Sequence, residues 1–369
     1  MSNDFHNAQS FKPHGKRVGD VRAAAFYACA VLLMSTGVSA AFCQSNPRLQ
    51  AFFEQNAGLS QEQIDKIRHG IPVVKVFPPR DQAEVFLFGA VYIHAAPESY
   101  LRLVSDMNRM RKIPGYLEFG VFENPPMLSD LDGLSLDPDD IRALRICRPG
   151  VCELQLPGAS MRELQQSVDW SAPDLDDRVN RFVRQKALDL LMAYQKEGDH
   201  ALGVYEDKPE AAPIAQEFAY MLSYSKALPV DLPEFYSYLL AYPDAKAGHA
   251  EDRFYWTKVK FGLKPTLRIV HQIIMHGNAA DDVIYAVAEK QLYSSHYFDT
   301  ALDLSFCIRD RAAAGQQGFY LVMAMGTEQH SLIGLKGEVI RKFAVARSTS
   351  NLEAALTNIR NLLEAHTKP

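Results

Sequence analysis

The sequence predicts an α+β fold: an antiparallel β-sheet, a long C-terminal helix and a helical insert. Three observations carry this. From about Phe254 to Gly326 the chain reads as consecutive strands separated by short turns. From there to about His366 it reads as helix. Between about residues 160 and 250, helical stretches interrupt two strand-rich parts. A chain of 369 residues, 47% of them hydrophobic, has ample apolar surface for a packed core.

The first 40 residues read as a secretory signal peptide. Lys12, Lys16, Arg17 and Arg22 form a basic lead-in, and Ala23 to Val38 is free of charge. Val38-Ser39-Ala40 then supplies the small residues that signal peptidase reads, with cleavage near Ala40 or Ala41. The alternative, an uncleaved anchor, meets a length problem, because a spanning helix needs roughly 20 apolar residues. Bulky Phe42 argues against a lipid anchor on Cys43. Cleavage removes four basic and two acidic side chains and takes the net charge from −5 to −7. The mature chain is expected in the periplasm or outside the cell. It has no basic face for nucleic acid.

An N-terminal helical segment is expected over 41–70. A short helix covers Asn46 to Asn56, and a second starts at Ser60, which has capping-box spacing to Gln63. Gly70 suits its end. One domain then runs over 71–366, with the insert inside it. Ile71–Phe77 and Glu84–His94 read as strands, Pro97–Met110 as a helix, and Tyr116–Phe122 as a strand. The acidic stretch from Ser129 to Asp140 reads better as a helix start, with Asp137 as cap and Pro138 as first residue, than as a calcium loop. Val151–Leu156 has a short strand pattern. Helices are expected over Asp174–Lys196, Ile214–Ser225 and Leu232–Tyr242. Tyr220, Tyr224, Phe235, Tyr236, Tyr238 and Tyr242 make this region aromatic, either as core or as pocket lining.

The late strands are expected at Arg253–Gly262, Thr266–His276, Val283–Leu292, Phe298–Arg309 and Gly318–Gly326. Leu332–Ala344 looks helical, and Ser350 with Glu353 has the spacing to open a further helix. Cys147 and Cys152 flank the turn-forming Arg148-Pro149-Gly150-Val151. In an oxidising compartment they read as a disulfide, with two free thiols as the alternative. A metal reading lacks a second ligand pair. Cys307 reads as simply buried.

This order of elements resembles the helix-grip proteins, the START and polyketide-cyclase-like (SRPBCC) families. The block from Glu84 to His94, followed by Ala96-Pro97-Glu98-Ser99-Tyr100, is similar to their opening strand and first helix. The ending from Gly334 through Leu363 is similar to their closing helix. Residues from Phe254 to Pro265 and from Lys290 to Phe298 also resemble uncharacterised exported bacterial proteins. The helix-grip resemblance covers about residues 71–156 and 250–366. It implies a cavity between the sheet and the last helix, often for lipids or other apolar molecules, and no single reaction.

Hydrolase, nucleotide-binding and zinc-protease motifs are absent from the sequence. The remaining candidates are pocket residues. On the strand from Thr266, His271 shares a face with Leu267, Ile269, Ile273 and Met275. It reads as a satisfied core histidine or as a polar anchor for a ligand head group. Tyr285, Val287, Glu289 and Gln291 share a face of the next strand. If inward, Glu289 would have a raised pKa unless it paired with Lys258 or Arg268. Tyr293, His296 and Tyr297 mark a turn that could rim a pocket mouth, and His296 with Asp299 resembles a base and its orienting carboxylate. The expected function is an exported protein holding a lipid or other apolar small molecule between the sheet and the C-terminal helix. His271, Tyr285, Glu289, Tyr293, His296 and Tyr297 would be the ligand-binding residues, with no cofactor and no metal. The alternatives are a cyclase- or hydrolase-like enzyme, with Glu289 and His271 as acid and base, and an envelope protein with a filled core and a protein partner.

Overall fold

The N-terminal part folds much as its capping signals dictate. In a computed structural model, residues 47–112, 115–245, 248–262, 264–311 and 318–365 are described, with only the backbone at 335 and 336. The expected signal segment lies outside them. Helix α1 (Pro47–Ala51) runs on as one wider turn over Phe52–Asn56, and α2 (Gln61–Arg68) follows. Ser60 caps α2 reciprocally: the Gln63 amide donates to Ser60 Oγ at 3.3 Å, and the Ser60 amide to Gln63 Oε1 at 2.9 Å. Strands β1 (Val73–Phe77) and β2 (Glu84–Ile93) come next. The helix expected over 97–110 is two pieces, α3 (Pro97–Ser105) and α4 (Met107–Met110). Asp106 divides them, because its carboxylate accepts the Arg109 amide and starts the second piece afresh. Strand β3 (Tyr116–Val121) closes this part.

The insert is longer than the sequence suggests. It holds α5 (Pro138–Leu144), α6 (Gly158–Ser167) and the long α7 (Leu175–Glu197). A small pair of strands, β4 (Val204–Tyr205) and β5 (Ala212–Pro213), leads to α8 (Ile214–Leu222), α9 (Leu228–Asp231) and α10 (Pro233–Ala241). The strand expected at Val151–Leu156 does not form. Its amides bond to loops, Cys152 to the Asp207 carbonyl and Gln155 to the Ser295 carbonyl, both at 3.0 Å. Only an isolated bridge between Arg148 and Val151 remains, across the turn that the disulfide closes. Cys147 and Cys152 are bonded, with their Cα atoms 4.6 Å apart, inside the range that disulfides accept. Cys307 is buried and free.

Alternating apolar residues then build β6 (Ala250–Lys260), β7 (Pro265–His276), β8 (Val283–Ser294), β9 (Thr300–Arg309) and β10 (Phe319–Glu328). Among the described residues, eight strands form one antiparallel sheet in the order β1-β2-β10-β9-β8-β7-β6-β3. β2 lies between β1 and β10, and all of it is buried. Phe86, Phe88, Ala90 and Tyr92 face the insert and the N-terminal helices, while Val85, Leu87, Val91 and Ile93 face the other way.

On that second face lies the closing helix α11 (Gly334–Ala365), against β1 and β2, with α3 beside it. The sequence suggested two helices with a new start at Ser350. Instead one helix runs through, and Thr349 Oγ1 donates back to the Val345 carbonyl at 2.8 Å, as a residue inside a helix does. Gly89 permits the close approach, since a Cβ there would sit 2.8 Å from Leu356 Cδ1. Leu352, Leu356 and Leu363 are buried, whereas Val339, Ile340 and Phe343 in the first half are exposed. No described helix is long and apolar enough to cross a membrane.

Candidate functional site

Small side chains on the sheet and incomplete cover by the helices leave a cleft on the insert face. β2 brings Phe86 and Phe88 to it, and β9 brings Leu302, Leu304 and Phe306. Ala286 and Ala324 form the floor and leave room where larger residues would fill it, while Gly326 lets Phe86 and Met221 pack close to the strand. Leu49 and Phe52 come from α1 and its wider turn. Met221, Tyr224 and Phe235 come from the insert. The cleft holds about 640 Å³, within the roughly 300–1,000 Å³ of small-molecule sites. Its walls are apolar. Charge collects at the mouth, where Arg48 Nη2 lies 2.7 Å from Asp231 Oδ1 and Arg48 Nη1 lies 4.0 Å from Asp282 Oδ2. Lys226, Glu234 and Asp281 also line it.

None of the six residues expected to bind ligand lines this cleft. The sheet divides them. His271 is fully buried on the insert face, with both ring nitrogens occupied: Tyr194 Oη lies 3.0 Å from Nδ1 and Asp252 Oδ1 lies 2.7 Å from Nε2. Its ring stacks on Phe254, and Tyr238 donates to the other Asp252 oxygen at 2.7 Å. Burial depresses the imidazole pKa, against the pull of Asp252. Tyr293 lies on the same face, edge-on to Tyr205. Burial pushes its hydroxyl well above the ordinary value.

Tyr285 and Glu289 lie on the opposite face, below α3. Gln272 Nε2 donates to Glu289 Oε1 at 3.3 Å and to the Val104 carbonyl at 3.2 Å. Burial raises the Glu289 pKa, while Arg268 opposes it. Arg268 Nε donates to Gln291 Oε1 at 3.0 Å. Asp303 is the register partner of Glu289, and burial carries its pKa up to about 6. Glu289 and His271 therefore stand on opposite sides of one sheet and do not form an acid–base pair.

His296 and Tyr297 sit at the sheet's end. His296 Nε2 lies 3.0 Å from Asp140 Oδ2, so its partner is a residue of α5 and not Asp299. Burial alone would raise the Asp140 pKa, but the His296 and Lys264 contacts hold it below the usual value. Asp299 is taken by Gln155, at 2.6 Å, and by the His330 ring, at 3.0 Å. Tyr297 Oη accepts the Lys264 amide at 2.8 Å.

The cleft residues had one signal in the sequence, the aromatic cluster of the insert. Tyr224 and Phe235 of that cluster do line it, while Tyr238 and Tyr242 pack around His271. No protein-family model matches the chain, and no curated protein matches it.

Proposed function

We propose that the protein binds an apolar small molecule or lipid, neutral in charge, in the cleft between the sheet and its helical insert. The observation that carries this is an apolar-walled cleft of about 640 Å³ with its charges confined to the mouth. Burying ligand surface there stabilises a complex by roughly 25 cal/mol per Å². At the mouth, Asp231, Glu234, Asp281 and Asp282 outnumber Arg48 and Lys226. That balance repels a carboxylate or phosphate head group, whereas an uncharged one meets no such repulsion.

With the insert set aside, the order of two strands, two helices, antiparallel strands and a closing helix supports the helix-grip resemblance. The cleft departs from it in position, because it opens on the insert face and not beneath α11. The Cys147–Cys152 bond supports a site of action outside the reducing cytoplasm, in the periplasm or beyond, after removal of the N-terminal signal.

The test is displacement of a fluorescent apolar dye, paired with native mass spectrometry and organic extraction of the purified protein. Ala324→Trp would fill the cleft floor. Neutral lipids should displace the dye from the wild type, and the variant should bind at least about tenfold more weakly with its melting temperature kept. Equal binding by the variant, or preference for fatty acids, would sink this reading.

A further inference from the structure

One corner of the sheet gathers carboxylates. Glu84 opens β2, Glu328 closes β10, and the two are register partners. Like charges placed directly opposite one another cost stability unless something offsets them. Asp81, in the turn ahead of β2, brings a third carboxylate, and ligand oxygens of all three lie within 4.8 Å of one another. Glu84 is 0% exposed and Glu328 4%. Helix α8 places Glu217, 7% exposed, at the same corner, with its Oε1 3.8 Å from His330 Nδ1.

A second observation points to a missing partner. Both Glu217 oxygens and Glu328 Oε1 are buried without a hydrogen bond, and so is Thr300 Oγ1. Thr300 is the register partner of Glu328 on β9, so these atoms belong to one neighbourhood. Folded proteins seldom leave buried polar atoms unmatched, and several together call for an explanation. The cations nearby are committed. The Arg80 amide and Nε donate to the two Glu84 oxygens at 2.7 and 2.9 Å, and its guanidinium stacks on Tyr220, 3.7 Å from the ring centre. His330 holds Asp299. With every acid ionised, the five carboxylates of Asp81, Glu84, Glu217, Asp299 and Glu328 outnumber the cations described at this corner: Arg80, a charged His330 and Arg341, whose guanidinium is held by the Gln82 and Glu84 carbonyls.

We propose that Asp81, Glu84 and Glu328, with Glu217 closing the corner, bind a hard divalent cation of the Ca²⁺ type. Ca²⁺ takes 6–8 oxygen ligands in flexible geometry, and every donor here is oxygen. Asp81 is exposed and lines a groove with Arg80, Gln82, Glu338 and Arg341, which gives the ion its route from solvent. The bound ion ties α8 to β10. Met221 on α8 and Gly326 on β10 both line the cleft, so the ion braces one wall of it.

The test is calorimetric titration of chelator-treated protein with CaCl₂, with Tb³⁺ luminescence excited through Tyr220 and Tyr224 to locate the ion. One site is expected, with a dissociation constant of about 10⁻³ M or tighter. Glu328→Gln removes a repelled charge, so it should fold without the ion and bind it at least about tenfold more weakly, because Ca²⁺ affinity follows the number of charged ligands. Asp81→Asn, at an exposed side chain, tests the same site should the buried variant fail to fold. No heat and no sensitised emission at millimolar ion, or signals that both variants leave unchanged, would overturn the proposal.

Discussion

The two faces of the sheet bury different chemistry. On the insert face the middle strands present Leu302, Leu304, Ala286 and Ala324, and the helices above them leave a hollow. On the face of α3 and α11 the same strands present Arg268, Gln272, Glu289, Gln291 and Asp303, tied partly to one another. On that face a charged side chain in an apolar strand marks a cross-strand hydrogen-bond network, whereas on the insert face buried Lys290 donates to Asp199 and to the Leu239 carbonyl of the insert. The hollow lies where the side chains are apolar and small. Space comes from volume mismatch between layers, and polar residues do not announce it.

The sharpest way to break this contrast is His271→Ala. It should cost about 4 kcal/mol in urea denaturation, because it opens a cavity and strips Asp252 and the Tyr194 hydroxyl of their partner. Retained dye binding in that variant would show that the histidine acts only in the core. A cost within error of zero would mean that the Tyr194–His271–Asp252 chain does not hold α7 to the sheet.

On the other face, Leu356→Ala should cost about 3 kcal/mol, since the side chain is fully buried against Gly89. Dye binding in the cleft should be unaffected, because α11 lies across the sheet from it. Reducing Cys147–Cys152 should lower stability by about 2 kcal/mol, the value for so short a loop. Melting with and without dithiothreitol measures it, and a Cys147→Ser variant should show no further loss on reduction.

The smallest effect separates the faces by pH. Asp303 has its folded pKa raised to about 6 from an ordinary 3.8, so the native state binds the extra proton. Its contribution is complete below pH 3.8 and is lost as pH rises to about 6. His271 runs the other way. Its folded pKa is depressed, so its contribution is present above about 6.5 and is lost as pH falls. In denaturation profiles between pH 4 and 7, Asp303→Asn should reduce the falling component, which Glu289, Glu217 and Glu328 share, and His271→Leu should reduce the rising one. Identical profiles for wild type and both variants would refute the assignment.

Much of the fold was legible because its local signals are strong. The Ser60–Gln63 box, the Asp137-Pro138 start and the five late strands all formed within a few residues of expectation. Ser350 misled because a serine with a glutamate three residues on also fits a helix interior once the turn before it stays helical. Val151–Leu156 misled because a strand needs a partner edge, and this segment met only loops. The site was barely legible. Each strand alternates cleanly, yet β2 is buried along its whole length, so alternation could not say which side was hollow. The pairing of His296 with Asp140, 156 residues away, likewise had no local trace.

Arg48 spans the cleft mouth from α1 to Asp231 of α9, with its side chain 66% exposed. Exposed ion pairs of this kind are worth only about 0–1 kcal/mol, and salt screens them. The mouth is therefore bridged by a weak type of contact, while α1 with its wider turn and α9 themselves are anchored by buried Leu49, Phe53 and Leu228. Residence time and affinity become separable: raising ionic strength should hasten both entry and escape of an uncharged guest and leave their ratio nearly constant. A mouth bridged in this way responds to the electrolyte around the molecule before any partner touches it.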